Sequence, residues 1–204
     1  MIIKIASTIG SLTFISRILG YFRDLLFAKY FGAGLVSDSF FVAFKLPNLF
    51  RRLFAEGAMN SAFIPVISGI QINEGKASAT KFLCKILIIT FSILLPLVIV
   101  VNIFMPILVH LIAPGFDSNL EKFNLTVLLS RITFPFLIFV SLSSLIGGFL
   151  STLNKFAAMA FTPVILNLIM IFTLSYSGSN NFTSREITIY VAYSISIAGL
   201  IQFC

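Results

Sequence analysis

Tryptophan is absent, histidine occurs once, cysteine twice, and only seven of the 204 residues are acidic. Each scarcity closes off a class of function. Cys84 and Cys204 lie in hydrophobic segments with no partner spacing, so neither a disulfide framework nor a metal site is indicated. His110 stands near the end of a hydrophobic run with no carboxylate or cysteine companion, and a structural or interfacial role is expected of it. A membrane enzyme needs a nucleophile or a general acid–base pair, usually His or clustered carboxylates. One isolated His and no carboxylate cluster point away from an enzyme, and no cofactor is expected. Internal repeats and low-complexity tracts are also missing.

Charge is scarce altogether. Charged residues make up 10% of the chain and hydrophobic ones 58%, with a mean hydropathy of +1.06. A soluble domain is about 25% charged, so the composition is that of a polytopic membrane protein, an all-α bundle of about six transmembrane helices. The 24 Phe residues suit lipid-facing helices. The net charge of +7 raises the question of nucleic acid. That partner is excluded, because the basic residues sit inside apolar runs rather than on a hydrophilic stripe. The start, MIIKIASTIGSLTF, lacks a small-residue cleavage site and runs into Arg17 and a longer helix, so it reads as a retained first span.

A span needs about 20 mostly apolar residues. On that criterion residues 1–204 form a single transmembrane lobe, with helices expected at about 5–31, 36–72, 82–111, 127–153, 158–176 and 187–204. The second of these passes Pro47, where a proline removes a backbone donor and kinks or breaks a helix, and Gly57. It is either one bent helix or a span followed by an interfacial helix. Residues 73–81 read as a polar connection, and a short polar segment at Glu121 and Lys122 precedes the fourth span. Lys4, Lys76, Lys81, Lys85 and Lys155 fall on one side and Lys29, Lys122 and Arg185 on the other, with Arg131 near that edge. The excess favours a cytoplasmic N-terminus.

Against this background one stretch is charged. Residues 16–65 carry Arg17, Arg23, Asp24, Lys29, Asp38, Lys45, Arg51, Arg52 and Glu56 in an apolar setting. A charge at the bilayer centre costs roughly 2.5–3.5 kcal/mol on insertion scales, so such residues are functional candidates by default. Arg17 and Asp24, seven apart, share a helix face with Gly20 and Tyr21. Arg23 projects about 120° from Arg17 and lies roughly 9 Å further along the axis. Guanidinium offers a planar fork of donors that matches phosphate oxygens and keeps its charge. More cations than acids at membrane depth make a cavity suited to a phosphate or diphosphate headgroup, with Arg51 and Arg52 added after the break at Pro47-Asn48. Broken helices are where transporters place their sites. Blander readings stand beside this one. Arg17, Arg23 and Asp24 form a structural ion pair between helices, Arg51 and Arg52 anchor at the interface like Lys29 and Lys45, and Asp38 caps the second helix. The small-residue faces of Ser143, Gly147 and Ser151, with Ser144 and Gly148, read as close helix packing.

The segments SRILGYFRD, FGAG, SDSFFVAFKLPNLFRRLFAEGAMNSAFIP, APGFD and ITFPFL resemble the N-terminal half of the MurJ (MviN) lipid II flippases. The likeness is dense over residues 16–65 and continues to about 175. It implies one lobe of a two-lobed transporter that moves lipid-linked peptidoglycan precursor from the inner to the outer leaflet of the bacterial inner membrane. The substrate is a polyprenyl-diphosphate-linked saccharide, membrane lipids are its neighbours, and the drive is membrane potential or an ion gradient. Carried over by position, the implied substrate-binding residues are Arg17, Arg23, Arg51 and Asp38, with Asp24, Asn48, Arg52 and Glu56 in support. The family's chains are more than twice as long, so a truncated form, or a lobe that pairs with a separate C-terminal lobe, is expected. The alternatives are an exporter of another polyprenyl-linked saccharide and an inactive remnant or scaffold.

Overall fold

In hydrocarbon a backbone has to satisfy its own polar groups, and a helix does so within one segment. The computed structural model describes residues 2–52 and 58–203, with side chains for 7–52 and 61–203; among them helices form and strands do not. In order they are α1 (Ile2–Phe31), α2 (Leu35–Arg51), α3 (Ala58–Glu74), α4 (Lys76–Ile103), α5 (Met105–Ile112), α6 (Leu120–Thr133), α7 (Phe136–Thr152), α8 (Ala157–Ser179) and α9 (Ser184–Phe203). Among the described residues four stretches are long and apolar enough to cross a membrane: Lys76–Ile103, Leu120–Thr152, Ala157–Ser179 and Ser184–Phe203. At 30 residues α1 is also long enough, about 45 Å. The molecule is an all-α membrane bundle, as the composition required.

Several boundaries differ from the sequence reading for local reasons. The expected second helix is two, α2 and α3, with residues 53–57 outside the described part. The expected polar connection over 73–81 shrinks to Gly75, whose φ of +89° is open to glycine at little cost. Lys76, Lys81 and Lys85 are helical because K-A-S-A-T-K contains no breaker. The polar segment at Glu121 and Lys122 is not separate. It is the first turn of α6, where Asn119 Oδ1 accepts from the Lys122 N–H at 3.0 Å. The last span begins earlier than expected, at Ser184. Thr183 and Glu186 cap each other there: Glu186 Oε2 accepts from the Thr183 N–H at 2.8 Å, and Thr183 Oγ1 accepts from the Glu186 N–H at 3.3 Å.

The α6–α7 span runs through the centre of the bundle, mostly buried, and bends at Phe134-Pro135. Around it α2 packs on α6, α9 on α7, α8 on α9 and α1 on α8, while α3 and α4 cover the far side of α7. One apolar cluster joins Phe27, Phe31, Phe40, Leu129, Met170 and Ile195. A second joins Leu46, Leu94, Val98, Phe134 and Leu137. Pro47 denies the Ala43 carbonyl its helical donor, and the buried hydroxyl of Thr133 lies 3.3 Å from it, shared with the Ser130 carbonyl at the same distance.

Polar contacts gather the turns at the two ends. At one end Ser184 Oγ donates to the Tyr30 carbonyl at 2.9 Å, Lys122 pairs with Asp38, and Arg185 approaches Glu121 at 3.8 Å. At the other end Thr152 Oγ1 donates to Gln71 Oε1 at 2.8 Å, tying α7 to α3 near the Gly75 turn.

Candidate functional site

The charged residues singled out above fall into three places. On α1, Arg17 is exposed and makes no hydrogen bond or ion pair with the described residues, on a face shared with exposed Tyr21 and Asp24. Arg23, one turn and a half further on, is held on two sides. Its Nε and Nη2 donate to Asp24 Oδ1 at 3.0 and 2.8 Å, and its Nη1 donates to Asn167 Oδ1 at 2.8 Å. Its side chain is 22% exposed, that of Asp24 63%, so the carboxylate stays reachable from outside while the guanidinium is drawn in. The Phe27 ring lies 5.7 Å from the same guanidinium.

At the end of α2 the Asn48 amide donates to the Phe44 carbonyl at 3.0 Å, and its oxygen faces Arg51 Nε at 3.4 Å. Asn48 and Arg51 line a cavity of about 230 Å³ between α2, α7, α8 and α9. Arg52 is exposed, its backbone N–H closing the last turn of α2 on the Asn48 and Leu49 carbonyls. Glu56 lies outside the described residues.

At the opposite end of α2, Asp38 does not cap its helix. Gly34 holds the cap position with no side-chain bond, and Asp38, a full turn in, reaches across to Lys122 of α6. The Lys122 ammonium also sits 4.1 Å from the centre of the Phe116 ring. His110 has a carboxylate companion after all: its Nδ1 meets Asp117 across the turn after α5. The two are seven apart, and the turn at Pro114–Phe116 folds them together.

The expected meeting of Arg17, Arg23 and Arg51 in one pocket between the first two helices is not found within this lobe. Of the three only Arg51 lines the cavity, because α1 packs mainly along α8 and touches α2 through Phe27, Phe31 and Phe40. The residue that sequence reasoning missed is Asn167. It is 5% exposed, and its Nδ2 donates to the Ser16 carbonyl at 3.0 Å while its oxygen holds Arg23. The signal was present, a lone amide in the apolar run VILNLIM, since a polar group at membrane depth bonds across to a neighbouring helix.

The family described as Lipid II flippase MurJ matches residues 27–204. The chain belongs to the MurJ family. A probable lipid II flippase MurJ of Rickettsia prowazekii (strain Madrid E) is 47% identical over 94% of this chain and 37% of the relative. One of Rhizobium tropici is 41% identical over 98% of this chain and 38% of the relative. A solved structure, lipid II flippase MurJ in an inward closed conformation, superposes with a TM-score of 0.73 at 34% identity, covering 96% of this chain and 40% of that one. The chain thus spans about two fifths of the length of the MurJ proteins it matches. The resemblance drawn from its N-terminal motifs is correct, and so is the reading as a multi-pass membrane protein of a transporter family rather than an enzyme.

Proposed function

We propose that this chain is one lobe of a lipid flippase that carries a polyprenyl-diphosphate-linked saccharide, the peptidoglycan precursor for which MurJ relatives are named, from the inner to the outer leaflet of a bacterial inner membrane. Its N-terminus is cytoplasmic. The supporting observation is Arg17, a cation on the exposed face of an apolar helix with no acidic partner among the described residues. On such a face a guanidinium is stabilised by water or by an anionic ligand, and a diphosphate fits its fork. Arg23 on α1 and Arg51 in the separate cavity at α2 engage other parts of the same substrate, with Asp24 as the counter-ion that a phosphate displaces from Arg23. Asn48 steadies Arg51, Asp38 acts through Lys122, and Arg52 and Glu56 supply peripheral charge.

Alternating access needs two lobes rocking about the site, and this chain supplies one. Membrane potential contributes about 2.3 kcal/mol per charge per 100 mV, which a cationic cavity can use. The test is binding of undecaprenyl-diphosphate-linked disaccharide to the purified chain in nanodiscs. Arg17→Ala and Arg51→Ala each weaken it about tenfold or more, the worth of a charge-assisted hydrogen bond. Unchanged affinity in both variants overturns the headgroup role.

A further inference from the structure

The cavity beside Arg51 has two unlike walls. Phe136, Val140, Met159 and Leu166 are apolar, while Ser143, Thr162 and Gln202 carry hydrogen-bonding groups. Gln202 Nε2 donates to the Thr162 carbonyl at 3.0 Å, which fixes the amide and leaves its oxygen, Oε1, buried without a partner. Ser143 Oγ is likewise buried and unpartnered. Pro163, which also lines the cavity, lies inside α8 and offers no N–H to the helix there. A second hollow of about 230 Å³ shares Ser143, Met159, Thr162 and Gln202 with the first, so these polar atoms stand where the two meet.

The chemistry narrows the occupant. Among the described residues lining the cavity none is a carboxylate and Arg51 is the one charged member, which disfavours a metal or organic cation. A purely apolar ligand would leave Gln202 Oε1 and Ser143 Oγ unsatisfied, which is costly for buried acceptors. At about 230 Å³ the space is too large for a bare ion and has room for a ring-sized group. What fits is a ring with hydroxyl or amide donors along its edge and a C–H face to lie against Phe136 and Met159.

We propose that this cavity is a sugar subsite, taking one pyranose ring of a saccharide whose phosphate lies on Arg51. The proposal rests on the headgroup reading above and adds that the lobe selects the saccharide by its hydrogen-bonding edge as well as the phosphate by its charge. Two probes separate these contributions. N-acetylglucosamine 1-phosphate and cyclohexyl phosphate carry the same phosphate monoester on rings of the same size, and only the first has ring hydroxyl and acetamido groups.

Titrated into the purified full chain in nanodiscs, the sugar phosphate binds about tenfold tighter than cyclohexyl phosphate, the value of two ordinary hydrogen bonds. Gln202→Leu removes that preference and leaves cyclohexyl phosphate within about twofold of its original affinity. Ser143→Ala, which removes a single oxygen, halves the preference or more, and it carries the test if the leucine variant does not fold. Arg51→Ala weakens both probes together. Equal affinities in the unmodified chain mean that the cavity holds water only and overturn the subsite, as does a preference that survives both polar substitutions. The headgroup reading stands in those cases. The subsite also falls if neither probe binds or if Arg51→Ala changes nothing, whereas the headgroup reading falls only if Arg17→Ala and Arg51→Ala both leave binding of the lipid-linked disaccharide unchanged.

Discussion

Single side chains in this lobe do work that their sequence neighbours conceal. Asn167 clamps two turns of α1 at once, through the Ser16 carbonyl and the Arg23 guanidinium. Replacing it with Ala leaves both partners short of a bond in a buried setting, and the expected loss is about 1–3 kcal/mol, read as a lower unfolding temperature of the purified chain in detergent. Asp38 and Lys122 form a more exposed contact. A double-mutant cycle on that pair should give a coupling of about 1 kcal/mol or less, shrinking as salt is added. Which residues were charged at membrane depth was plain from the sequence. Which of them would meet was not, since Arg23 finds Asn167 at a separation of 144 residues and no local pattern encodes that distance.

Between helices, close approach is set by small residues. Gly199 of α9 lies against α7, where an added Cβ would come within 2.7 Å of the Phe136 ring and 3.2 Å of Phe139 Cβ. Phe136 is fully packed and has nowhere to go. Gly199→Ala is therefore expected to destabilise the chain by about 1–3 kcal/mol, checked by thermal unfolding, with α7 and α9 exchanging amide hydrogens faster. Gly147, which stands in the small-residue face of α7 read as packing, is covered by Met159 of α8. That the long apolar runs are helical followed from their length, though not that 36–72, 82–111 and 127–153 each divide into two helices. The ends did not, because they depend on caps and turns worth about 1 kcal/mol each. The reciprocal cap of Thr183 and Glu186 was in fact readable as T-x-x-E ahead of an apolar run, and it places the start of α9 three residues before the expected Ile187.

Across the whole lobe, charge is distributed by end. Asp38, Asp117 and Glu121 pair with Lys122, His110 and Arg185 at one pole. Near the other, Lys76, Lys81, Lys85 and Lys155 are exposed and make no ion pair with the described residues. In the proposed orientation this is the cytoplasmic side, where Lys and Arg collect in short loops. In a chain whose Cys84 and Cys204 are changed to Ser, the variant Lys76→Cys should react with a membrane-impermeant maleimide only in inside-out vesicles. Asn181→Cys should react only in right-side-out ones, and the reverse pattern would overturn the orientation. The single cationic pocket expected from residues 16–65 was not legible at this scale. Packing of α1 on α8 rather than α2 is a long-range choice, made by Asn167 against Ser16 and Arg23 and by Gly178 against the Tyr30 ring.

The hydroxyl that serves the carbonyl freed by Pro47 has a mechanical meaning. Thr133 sits one residue before the bend at Phe134-Pro135, so the Pro47 turn of α2 and the elbow of the central span are in contact. Parting them would leave the Ala43 carbonyl without a donor in hydrocarbon, at a cost of several kcal/mol. Any motion of this lobe should therefore carry the two bends as one rigid joint, with flexing left to the turns outside it.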